Sequence, residues 1–141
     1  MSLSFRNLTI SPTAPVGEWP TEAVQAALER GDLGDWHRIA AEFRRDPWGR
    51  TAGQVEEVLS HSRPYGVAEL METVLTRARH SAAEAERQQV ATDIRHAVAR
   101  SGLSKADFAV RIGTSASRLS TYLSGKVVPS AALMIRINRV G

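Results

Sequence analysis

Residues 104–126 read SKADFAVRIGTSASRLSTYLSGK, and their spacing decides the fold. Ser104 and Asp107 form a capping box, and Leu103 stands where it can staple to Phe108. A helix from Lys105 to Ile112 is therefore expected, closed at Gly113, where a left-handed backbone carries no steric penalty. Ser115 caps a second helix, Ala116 to Ser124, which Gly125 closes. Two short helices joined by a three-residue turn cross steeply. They pack only if a small residue stands at the crossing, and Ala109, four residues before Gly113, is that residue. Phe108 and Ile112 flank it, and Leu119 and Tyr122 face back from the second helix.

This is the arithmetic of a helix-turn-helix. Upstream, a helix carries Ile94, Ala97 and Val98 on one face and stops at Gly102. Downstream, Pro129-Ser130 starts another, with Leu133, Ile137 and Val140 in register. Residues 92–141 thus read as one four-helix domain.

Residues 104–126 resemble the Cro and phage-repressor type of helix-turn-helix position for position, without gaps. The matching features are Ala109, Gly113, the apolar set Phe108, Ile112, Leu119 and Tyr122, and the pair Gly125-Lys126. The resemblance implies a lambda-repressor-like domain whose helix 116–124 lies in the major groove of double-stranded DNA. It assigns base contacts to Ala116, Ser117 and Thr121, with Arg118 between them. Lys105 stands where the family often has a glutamine bonded to phosphate. Ser115 and Lys126 are the other implied phosphate contacts. Two departures matter. Ala116 offers only a methyl group, so specificity leans on Arg118, on DNA shape or on the rest of the chain. The family also has a fifth helix, whereas this sequence stops at Gly141. Leu133, Met134, Ile135 and Ile137 are therefore expected to sit partly in an interface.

The first 18 residues contain Pro12, Pro15 and Gly17 and alternate weakly in hydropathy, which predicts an extended arm. Residues 19–78 read as a helical bundle. One helix follows Pro20 and stops at Gly31. A second, from about Asp35 to Arg45, buries Trp36, Ile39, Ala40 and Phe43 and ends at Asp46-Pro47. Thr51 and Gln54 read as a capping box for a third, with Val55, Val58 and Leu59 inward. A fourth opens after Pro64 with the stripe Val67, Leu70, Met71, Val74, Leu75 and Ala78. Trp19, Trp36 and Trp48 are read as core or half-core residues of this bundle. Val67 to Ser101 holds neither glycine nor proline. It is either one helix of 35 residues, roughly 50 Å long, or two helices broken at Ser81, which with Glu84 makes another capping box. Residues 79–91 are taken as a linker helix. The expected fold is all-α.

Charge divides along the same line. Residues 1–80 carry 9 Arg against 11 Asp and Glu, a net −2; residues 81–141 carry 9 Lys and Arg against 4 acids, a net +5. From Ile94 onward 8 basic residues face the single acid Asp107. A basic C-terminal third points to an anionic partner for that third. Apolar residues are 43% and charged residues 23%, ordinary for a folded soluble domain. Cysteine is absent, which removes disulfides, thiolate metal sites and a cysteine nucleophile. No apolar run is long enough to span a membrane and no signal-peptide core is present, so a cytoplasmic setting is expected. His37, His61, His80 and His96 are scattered. The pairs Glu57/His61 and Asp93/His96 fall short of the three or four ligands a metal needs. Gly31-Asp32-Leu33-Gly34 is a turn, not a phosphate-binding loop. No cofactor and no catalytic residue is expected.

These readings lead to a DNA-binding transcription regulator acting as a homodimer, with a protein partner for residues 19–78 as a further expectation. The alternatives are an antitoxin-like protein whose N-terminal part holds a partner, and a helix-turn-helix-shaped interaction module that does not read DNA.

Overall fold

A computed structural model describes residues 3–5 and 8–141. Among the described residues every regular element is helical, in the order 3-10 helix Val16–Glu18, α1 Thr21–Arg30, α2 Leu33–Arg45, α3 Arg50–Leu59, α4 Val67–Ser101, α5 Lys105–Ile112, α6 Ala116–Leu123 and α7 Ala131–Val140. The chain divides into two compact units, Met1–Ala82 and Ala83–Gly141. The helix α4 contributes to both. It runs unbroken through Ser81, so the alternative break there does not occur. The stretch expected as a linker, 79–91, is shared out: Arg79 serves the first unit and Val90 packs on the second core.

In the first unit, apolar side chains of α1, α2, α3 and the start of α4 meet around Trp19, Phe43, Leu28, Ile39 and Met71, all fully buried. Burial of each such side chain contributes roughly 1.5–3 kcal/mol. The N-terminal segment is a correction to the sequence reading. Its described residues do not form an extended arm but pack on this core through Leu3, Phe5, Leu8, Ile10 and Ala14. Phe5 meets the Trp19 ring edge-on at 5.1 Å. The Arg38 guanidinium donates to the carbonyls of Pro12 at 2.6 Å and Ala14 at 2.9 Å and lies over the Trp19 ring. An arginine from α2 thus satisfies two carbonyls of an irregular segment that has no strand partner to do so.

Three further expectations are corrected. The capping box Thr51/Gln54 does not form. The turn at Asp46–Gly49 starts α3 two residues earlier, with Gly49 as its cap, so both side chains fall on a buried face. There Gln54 donates to the Trp19 carbonyl at 2.8 Å. The α2 helix starts earlier than expected, at Leu33, because Asp32 and Asp35 form a reciprocal capping box. The backbone hydrogen bond from Asp35 holds the Asp32 carboxyl below its ordinary pKa. Trp48 is 61% exposed rather than core. The Arg79 guanidinium lies 4.8 Å from its ring centroid while donating to the Pro47 carbonyl and to both oxygens of Glu56.

The second unit is built on one core: Ile94 and Ala97 from α4, Phe108, Ala109 and Ile112 from α5, Leu119 and Tyr122 from α6, Leu133 and Ile137 from α7. The α5 helix packs on both α6 and α7. Leu133 and Ile137 are therefore buried within the chain, so of the four residues expected to sit partly in an interface these two are covered by their own unit. Only Ile135, at 54% exposure, faces solvent among its large apolar side chains.

Candidate nucleic-acid interface

Two eight-residue helices, α5 and α6, frame the site. Helices this short are not stable alone, so their ends have to be satisfied by other groups. Ser104 caps α5 by accepting from the Asp107 amide at 3.1 Å, the forward bond of the expected box. Gly113 ends α5 at φ 80°, ψ 34°, the left-handed conformation expected of it. Its turn lets the Thr114 amide reach back to the Ala109 carbonyl at 2.9 Å. Ser115 caps α6 by accepting from the Arg118 amide at 3.1 Å. Ala109 is buried at the crossing and Leu119 and Tyr122 close it from α6, as the spacing required.

With that face inward, α6 turns Ala116, Ser117, Arg118 and Ser120 to solvent. Thr121 is half-buried, and its hydroxyl donates to the Arg118 carbonyl at 2.6 Å. The Thr121 proton is therefore committed within the helix, and what remains is an acceptor lone pair and a methyl group. Ser120, which the sequence reading missed, shares the outward face through its spacing of three from Ser117. Lys105, Ser115 and Lys126 are all exposed.

The eight basic residues after Ile94 separate into two groups. Arg95 and Arg136 are engaged with helix ends. The Arg95 guanidinium donates to the Leu123 carbonyl at 2.5 Å and to the Thr92 hydroxyl at 2.9 Å. Arg136 donates to the Ile112 carbonyl at 3.0 Å. The other six, Arg100, Lys105, Arg111, Arg118, Lys126 and Arg139, are exposed, and none forms an ion pair among the described residues. Positive charge not neutralised internally is available to an external anion. Among the described residues, no group of three or more His, Asp or Glu is placed to hold a metal, and no helix is long and apolar enough to cross a membrane.

A left-handed glycine turn between two capped short helices, an alanine at their crossing and an acid-free outer face define a helix-turn-helix domain. Residues 74–140 match the family model described as a helix-turn-helix domain, a region that takes in all of α5, α6 and α7. No curated protein and no solved structure matches the chain.

Proposed function

We propose that the protein is a sequence-specific regulator of transcription, a repressor that lays α6 in the major groove of double-stranded DNA. The observation that carries this reading is the outer face of α6, which presents Ser117, Arg118 and Ser120 without a carboxylate, beside cations that form no ion pair among the described residues. Arg118 reads a guanine edge, a contact worth about 1–3 kcal/mol when bidentate. Ser117 adds a hydroxyl, Ala116 a methyl contact to thymine, and Thr121 accepts from an exocyclic amine. Lys105, Ser115 and Lys126 hold phosphates. A single domain of this size touches few bases, so two copies bind half-sites about 34 Å apart, one turn of the duplex.

Titration of labelled duplex at two salt concentrations tests the reading. Each phosphate contact contributes a slope of about −0.9 in log affinity against log salt. Binding that is absent, or indifferent to salt, refutes it and leaves the domain as an interaction module.

A second reading has its own observation. On the first unit, Leu33, Trp36, His37, Ala40 and Arg44 of α2 face Leu70, Met71 and Val74 of α4 across a groove of about 430 Å³. Leu33 is 57% and Leu70 41% exposed there. Such a surface supports association through residues 19–78, either in the homodimer or with a separate protein, as in the antitoxins that share this helix-turn-helix.

A further inference from the structure

The basic excess of the second unit contains two exposed arginines whose guanidinium groups are already engaged by backbone carbonyls. Arg95, on α4, reaches a carbonyl 28 residues ahead, that of Leu123, the last residue of α6. Arg136, on α7, reaches one 24 residues back, that of Ile112, the last residue of α5. Each helix of the motif thus has its C-terminus held by a guanidinium from a neighbouring helix. The last carbonyls of a helix carry its negative dipole end and have no partner within the helix. A cation there is both a hydrogen-bond donor and an electrostatic match. The two clamps differ in how they are anchored. Arg95 is tied twice, to Leu123 and to Thr92 on its own helix, so its guanidinium cannot swing without releasing one of the two. The N-terminus of α6 is fixed separately, by Ser115. With both ends tied, an eight-residue helix has little freedom to tilt.

From this geometry we infer that Arg95 is a positioning residue for base recognition: it sets the tilt of α6 and contributes to discrimination between sequences, not to attraction to DNA in general. The inference rests on the DNA-binding reading above. A rival role is concrete, because Arg95 and Lys105 both line an open cleft of about 320 Å³ with Val98, Ala99 and Leu123, where a phosphate could reach either cation.

The experiment uses the full chain, a duplex that the wild type selects from a random pool, and a random-sequence duplex as reference. Arg95→Gln should lower the ratio of selected to random binding about tenfold and leave the salt slope on random duplex unchanged. Arg95→Lys, which keeps a cationic donor for the Leu123 carbonyl, should recover part of the ratio. A slope flattened by about 1 with the ratio intact would make Arg95 a phosphate contact and overturn the inference. No change in either quantity overturns it too. If Arg95→Gln does not fold, Thr92→Val removes one anchor and keeps the arginine; it should shift the ratio in the same direction by a smaller factor, and an unchanged ratio refutes the clamp. Failure of the wild type to bind any duplex would instead strike the DNA-binding reading itself.

Discussion

Replacing Gly113 by alanine tests the turn on which the motif depends. The residue sits at φ 80°, where a Cβ crowds the following carbonyl at roughly 1–2 kcal/mol. A Cβ built there also lies 3.0 Å from Nη1 of Arg136, the nitrogen that donates to Ile112. That side chain can withdraw, but only by stretching a charged hydrogen bond, at a cost on the order of 1 kcal/mol. Gly113→Ala should therefore lose about 2–3 kcal/mol in urea unfolding followed by far-ultraviolet circular dichroism. For a unit of this size that is a fall of about 10–20 °C in Tm. Gly113→Asn should cost less, because asparagine tolerates the left-handed region. The Arg136 share can be isolated: in an Arg136→Met background the alanine substitution should cost about 1 kcal/mol less than in the wild type. An alanine variant as stable as the wild type would mean that the left-handed turn does not exist. Equal costs in both backgrounds would mean that Arg136 does not crowd it.

Other expectations follow from the same geometry. Ala109→Leu overpacks the crossing of α5 and α6 and should cost about 1–3 kcal/mol; a wild-type melting curve would show the packing argument to be wrong. Lys105→Ala and Lys126→Ala should weaken binding alike on all duplexes, each flattening the salt slope by about 1, whereas Arg118→Ala should change which bases are selected. The opposite pattern, lysines altering preference and Arg118 not, would refute the docking. Hydrogen bonds from Arg79 hold the Glu56 carboxyl below its ordinary value of 4.5. A depressed carboxylate pKa stabilises the fold above the unfolded value and loses that contribution as pH falls through the folded one. Arg79→Met should therefore flatten the acid limb of the stability curve below about pH 4.5, by a small amount because the Glu56 side chain is 53% exposed and solvent screens it; an unchanged limb would show that the pair contributes nothing. Leu70→Glu, in the groove of the first unit, should shift sedimentation toward monomer if that face associates; unaltered sedimentation of an associating wild type would place the contact elsewhere.

The parts of the structure legible in the sequence were those set by neighbours along the chain. Gly113, Ala109, Ser104 and Ser115 act within a few residues of their partners, so the motif could be placed almost to the residue. Thr51 and Gln54 show the limit of that logic. The same Thr-x-x-Gln spacing that makes a capping box also puts two side chains on one helix face, and only the preceding turn, held by Asp46, decides between them. Arg38, Arg95 and Arg136 were legible only as charge. Their partners lie 24 to 28 residues away, and nothing local marks an arginine as the clamp of a distant carbonyl. Trp48 was misread for the opposite reason: its hydrophobicity suggested the core, but it closes a surface turn under Arg79.

All three tryptophans fall between residues 19 and 48, and the second unit has none. Indole emission is therefore a private signal of the first unit. Within that signal the residues are graded: Trp19 is sealed, Trp36 borders the α2–α4 groove, and Trp48 is open to solvent. A soluble quencher should reach Trp48 first and Trp19 last. A partner seated in the groove should move the Trp36 contribution toward the blue, while a duplex held by α6 alone should leave all three silent. The unmodified chain can thus report by its own light which of its two units has been engaged.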